Sequence, residues 1–137
     1  MKSIRKAAPT RRVRRGSLTM ELLLVLPILM FLLLGMFEFS LLFLAQGEVE
    51  TAAHSGARLA TLHGVHELDV VAEVERKLSP RLQRDLQVEV WLPEHAGEEV
   101  VVTVKVASSN AAPDLLWPIG YSLRGKVLTG QSRMNKE

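Results

Sequence analysis

"RRGSLTMELLLVLP", residues 14–27, decides how the rest of the chain is read. Two arginines meet a glycine. Five residues later Glu21 stands at the head of a long apolar run. From Leu22 to Ala45 the only charge is Glu38. Wound as a helix, those residues extend about 36 Å, against a hydrocarbon core of roughly 30 Å. Leu22–Leu34 has no polar face, which argues against a core helix of a small soluble protein. The run predicts a membrane span with some tilt.

Upstream, Lys2, Arg5, Lys6, Arg11, Arg12, Arg14 and Arg15 share the first 16 residues with no acid. The formal charge is +2, from 17 basic and 15 acidic residues. Without those seven the chain from Ser17 onward carries ten basic residues against 15 acids, a net −5. The basic pI therefore belongs to the tail. No basic patch survives after Gly16, so no nucleic-acid partner is expected. Basic residues before the span and none directly after it predict a cytoplasmic N-terminus and an extracytoplasmic C-terminal part. A secretory signal cut after the span is not expected. The run is too long, and Phe43-Leu44-Ala45 is a poor small-x-small site. The absence of cysteine excludes disulfides and cysteine metal sites.

Cleavage before the span is another matter. Gly16-Ser17-Leu18-Thr19-Met20-Glu21, after arginines and before an apolar helix, resembles the type III signal of type IV pilins and pseudopilins. Met20–Leu29, "MELLLVLPIL", resembles the V-E-F-A-L-V-L-P-L-L stretch of TadE-like proteins, minor pseudopilins of tight-adherence (Tad) pili. Gly35-Met36-Phe37-Glu38-Phe39 resembles their G-x-x-E-F, and Ala52–Arg58, "AAHSGAR", their A-A-x-x-G-A-R. The resemblance covers roughly residues 14–60 and continues as a general pattern. The missing cysteines and Met20, where Val or Ala is common, depart from the family without touching the processing signal.

The resemblance implies a cleavage site at Gly16 and Ser17 and a prepilin peptidase as partner. It also implies that Glu21, fifth in the mature chain, pairs with the new amino terminus of a neighbouring subunit. Other pseudopilins, pilus assembly proteins and membrane lipids are the remaining expected partners. The implied role is assembly, priming or anchoring of a Tad-type pilus or related secretion machine at the inner membrane. The alternative is a single-pass anchored binding or sensor module outside any pilus. Glu21 read without the family is a helix-start residue favoured by the macrodipole.

Other positions keep two readings. Pro27 removes one helix hydrogen bond inside the span, either as a tolerated kink or as a soft point for extraction. Glu38 lies about 26 Å along the helix from Glu21. It either snorkels to the outer interface or contacts a partner. Ala52, Gly56 and Ala60, with Ala53 and Ala57, recur at intervals of four. Such a stripe lets another backbone approach closely. It faces either a sheet of the same chain or a neighbouring helix, in which case Arg58 is a candidate ion-pair donor.

Three regions are expected: a basic leader over 1–16, a membrane helix over 17–45, and an outer domain over 46–137. The long helix is expected to run to His63, with Gly64 as its C-cap. A second helix is expected over Glu67–Leu78, burying Leu68, Val71, Val74 or Glu75, and Leu78, and stopped by Ser79-Pro80. The period then becomes two. Leu86, Val88, Val90 and Leu92 form one face of a strand, and Val100, Val102, Val104 and Val106 one face of the next, joined by a turn over Pro93–Glu98. A third strand is expected from Tyr121 to about Thr129. The apolar end of the Ser108–Gly120 connection either folds over the core or presents a patch. The expected architecture is α+β: a long helix laid on a three-stranded antiparallel sheet. His63-x-x-His66 lacks a convincing third ligand, so no metal is expected. No nucleophile motif, phosphate loop or paired acid and base points to an enzyme or a cofactor.

Overall fold

A computed structural model describes residues 15–95 and 97–136. Its first element, α1, runs unbroken over Arg15–Ala60 with Pro27 inside it. Leucine dominates this stretch, with alanine next, both strong helix formers. Residues 1–14, most of the expected leader, lie outside the described residues. By internal contacts the chain divides between Leu32 and Leu33. In the first unit, residues 18–32 are exposed except for the half-buried Phe31.

The second unit holds the rest of α1 and everything after it. Here α1 stops at Ala60, three residues before the expected His63. The Thr61 hydroxyl donates to the Arg58 carbonyl at 2.8 Å, and the Leu62 amide to Leu59 at 3.1 Å. These three-residue bonds tighten and close the helix. Gly64 follows at φ 79°, the left-handed geometry expected for it.

Helix α2 covers Glu67–Lys77. Asp69 accepts from the His66 amide at 3.0 Å, so His66 serves as a cap position. The buried face is Val70, Val74 and Leu78, rotated from the one expected. Leu68 is 81% exposed and Glu75 also faces out. The rotated face joins three apolar side chains at i, i+4 and i+8 and leaves Glu67, Asp69 and Glu75 in solvent, with Glu73 half-buried and paired with Arg76.

Three antiparallel strands follow, in the order β1-β2-β3: β1 Gln87–Trp91, β2 Glu99–Ala107 and β3 Val127–Asn135. Val88 pairs with Val104 and Val90 with Val102 in an antiparallel hairpin, as expected. Val100, Val102, Val104 and Val106 are fully buried beneath α1 and α2. The architecture is α+β, with a long apolar helix, a second helix and a three-stranded sheet.

The third strand lies further along than expected. Tyr121–Lys126 is a loop, turned by Gly125 at φ 74°, and the ladder starts at Val127. Its second half, Gly130–Asn135, is polar, because β3 is an edge strand with one face in solvent. What makes it a strand is β2, whose nine residues all find a partner in it. Pairing overrides the weak local pattern. Gly130 sits where the sheet meets α1: a Cβ there would lie 2.8 Å from the Val49 carbonyl oxygen.

Candidate functional site

Glu21 is exposed within the apolar part of α1, and the backbone of Gly16 and Ser17 lies in the first turn of the helix. Around and beyond Glu21, Met20, Leu22, Leu23 and Leu24 are each more than 60% exposed. Among the described residues this is one helix long and apolar enough to cross a membrane. In water such a surface would be unfavourable. In lipid it needs no cover, because its backbone is satisfied internally.

The small-residue stripe has a different setting. Ala52, Ala53 and Ala57 have no exposed surface, Ala60 only 1%, and Gly56 is buried. A Cβ on Gly56 would come within 2.7 Å of Val74 Cγ2 and 3.4 Å of both Val70 and Val102. The stripe is thus the seat of α2 and β2 within the chain. As possible partner contacts, Ala52, Gly56 and Ala60 are corrected: close intrachain packing occupies them. Arg58, on the other side of the helix, stays exposed beside a shallow cleft bordered by Glu73 and Arg76.

Glu38 is the most unusual group. It is fully buried, neither snorkelling to an interface nor open to a partner. Its Oε2 accepts from the amides of Leu115 at 2.7 Å and Leu116 at 3.0 Å. Its Oε1 has no hydrogen-bond partner. A carboxylate held by two consecutive backbone N–H groups is partly compensated for its lost hydration. One helix turn earlier, Gly35 faces Leu116: a Cβ there would lie 3.5 Å from its Cδ1. That is ordinary van der Waals distance, and Leu116 packs there at 5% exposure.

The residues that receive Glu38 belong to a small lobe. The connection after β2 contains helix α3, Ser108–Ala111, and a 3₁₀ turn, Trp117–Ile119. Asp114 closes the lobe, accepting from the Ser122 hydroxyl at 2.8 Å and the Leu123 amide at 3.3 Å. Tyr121 lies between Phe39, ring centroids 5.6 Å apart, and Lys126, whose Nζ is 3.6 Å from the ring centre. Within the apolar connection Leu116 folds onto the core at 5% exposure, while Trp117 is 68% exposed and Ile119 57%. The partnership of Glu38 with backbone far downstream left no trace in the sequence, because the donors are amides that any residue carries.

Residues 16–58 match a family model described as "TadE-like protein". Over this segment the chain is similar to the TadE-like family. The match starts at the glycine of the expected processing signal and ends at Arg58. Within the TadE-like segment lie Glu21, Glu38 and most of the small-residue stripe, while the lobe and the sheet lie beyond it. Neither a curated protein nor a solved structure matches the chain.

Proposed function

We propose that this chain is a non-enzymatic minor pseudopilin of a Tad-type pilus or related secretion machine. It is cut by a prepilin peptidase between Gly16 and Ser17 and held in the inner membrane by α1. The basic leader stays in the cytoplasm and the outer unit lies on the opposite side. The observation that carries this reading is the TadE-like match, which begins at Gly16 and continues into an uncovered apolar helix with Glu21 near its head.

Cleavage creates an ammonium at Ser17, and Glu21 is the carboxylate to receive one from a neighbour. Before assembly Glu21 reaches headgroups or water and costs little. In a helix bundle that escape is lost, and pairing offsets several kcal/mol of desolvation. Assembly is thereby coupled to processing. Of the positions on the outer half of α1 considered as partner contacts, Arg58 remains exposed and is the candidate for an ion pair with another subunit.

The direct test is co-expression with a prepilin peptidase, followed by N-terminal sequencing. The product is expected to begin at Ser17, and Gly16→Val to block its formation. A native protein retaining Met1 or Lys2 at its N-terminus overturns the assignment. Glu21→Ala and Glu21→Gln are expected to leave membrane abundance and cleavage intact while abolishing pilus formation.

A further inference from the structure

The lobe that receives Glu38 exposes an aromatic and an aliphatic side chain for which a monomeric outer unit has no use. Trp117 and Ile119 project from a single turn; Arg124, which borders the same cleft as Trp117, is exposed, and so is Lys126. Tyr121, half-buried, meets Phe39 in a tilted ring contact and has Lys126 over its own ring. Tryptophan and tyrosine with neighbouring basic groups are the composition of a membrane–water boundary.

The position along α1 agrees. A span of about 20 residues suffices for the hydrocarbon core. Counted from Leu18, such a span ends near Phe37, short of the Ala45 expected from the apolar run, because protein covers one face of α1 from Gly35 onward. Gly35 and Glu38, the residues that touch the lobe, stand at that boundary. Irregular backbone at membrane depth is tolerated only where protein satisfies its polar groups. Glu38 does this for the Leu115 and Leu116 amides, and Asp114 for that of Leu123.

We propose that residues 115–121 form an interfacial anchor, in which Glu38 pins the backbone and Trp117 and Ile119 lie among the headgroups and upper acyl chains of the bilayer. The inference rests on the membrane-spanning reading above. The occupant is phospholipid, because the patch sits where the apolar helix leaves the hydrocarbon core and the exposed charges of the lobe, Arg124 and Lys126, are cationic, while Asp114 is half-buried and bonded to Ser122 and Leu123. Glu38 is a positioning residue, and its burial follows from the lobe it holds.

The test uses the full chain in vesicles of phosphatidylcholine and phosphatidylglycerol. Trp91→Phe leaves Trp117 as the sole tryptophan, and Trp117→Phe leaves Trp91, which is 70% exposed on β1. Lipids brominated near the carbonyl end of the acyl chains are expected to lower Trp117 emission about two-fold, with a blue shift, and to leave Trp91 unchanged. Aqueous acrylamide should give the reverse order. Trp117 quenched by acrylamide as strongly as Trp91, or shielded from both quenchers by another protein surface, overturns the anchor.

Leu29→Trp, with both native tryptophans replaced by Phe, reports the span separately. Quenching there without quenching at Trp117 leaves the span standing and removes the anchor. No quenching at either position means that the span itself has failed. In the Trp91→Phe background, Glu38→Ala is expected to lose the lipid quenching of Trp117 and Glu38→Gln to keep most of it, since the amide oxygen can still accept both bonds. Unchanged quenching in Glu38→Ala removes the positioning role.

Discussion

The inner and outer parts of α1 are both apolar helix, yet they solve opposite problems. Residues 18–32 carry leucine, isoleucine and methionine and leave nearly all of them uncovered. From Ala45 to Ala60 the inward positions are alanine, glycine and one valine, with almost no exposed surface. Bulky side chains suit a surface solvated by lipid, where no partner must fit between them. Small ones suit a helix pressed against another helix and a sheet, where each added methyl must find space. The two carboxylates follow the same division: Glu21 is exposed, and Glu38 is sealed against backbone amides.

Paired substitutions can break this comparison. Leu82 is fully buried in the outer unit and Leu29 is half exposed on the apolar helix. Leu82→Ala is expected to destabilise the outer unit by about 3–4 kcal/mol. Leu29→Ala should change it by less than about 0.5 kcal/mol. Urea denaturation of the full chain in micelles, followed through Trp91, measures both. Equal losses would mean that the inner helix is packed by protein rather than solvated.

The carboxylates come next. Glu38→Ala leaves the Leu116 amide without its acceptor and the Leu115 amide with only the Pro113 carbonyl, and should cost about 1–3 kcal/mol. Glu21→Ala should stay within about 0.5 kcal/mol in the same assay. Hydrogen exchange at Leu115 and Leu116 sharpens the result, since their protection should fall only in the Glu38 variant.

A glycine pair tests close packing. Gly130→Ala meets the backbone of Val49, which cannot rotate away, and should destabilise by about 2 kcal/mol. At Gly47 an added methyl would have no atom within 4 Å, so Gly47→Ala should stabilise α1 by about 0.5–1 kcal/mol through helix propensity. Melting temperatures of the two variants should move in opposite directions. At the small end, Lys105 and Glu89 pair across β1 and β2 at 2.6 Å, but both reach solvent. Lys105→Ala is expected to cost no more than about 0.5 kcal/mol, with the difference vanishing at high salt.

Much of the fold was legible where periodicity was strong. The alternation of Val100, Val102, Val104 and Val106 places each side chain in the core. The recurrence of Ala53, Gly56, Ala57 and Ala60 at helical spacing marks a buried face without saying what covers it. Local pattern misled at β3. Tyr121, Leu123 and Val127 alternate like a strand, but Gly125 turns the chain and Leu123 is buried from a loop. It misled again in α2, where Leu68 belonged to the expected face and lies in solvent. A short helix with apolar residues at 68, 70, 71, 74 and 78 offers more than one stripe, and packing against Gly56 selects the Val70–Val74 one.

The apolar length of α1, the basic leader and the glycine-to-glutamate spacing are properties of consecutive residues. They are therefore readable from the chain alone, and with them the TadE-like resemblance and the expected membrane span. The surroundings of Glu38 are of another kind. A carboxylate in an apolar helix can snorkel, meet a partner or be satisfied within its own chain, and each choice leaves the same local sequence. The outcome depends on a loop 77 residues away, whose amides carry no residue signature. Long-range contact between a side chain and bare backbone is specified only when the sheet and both helices have packed, because only then do the Leu115 and Leu116 amides point at Glu38.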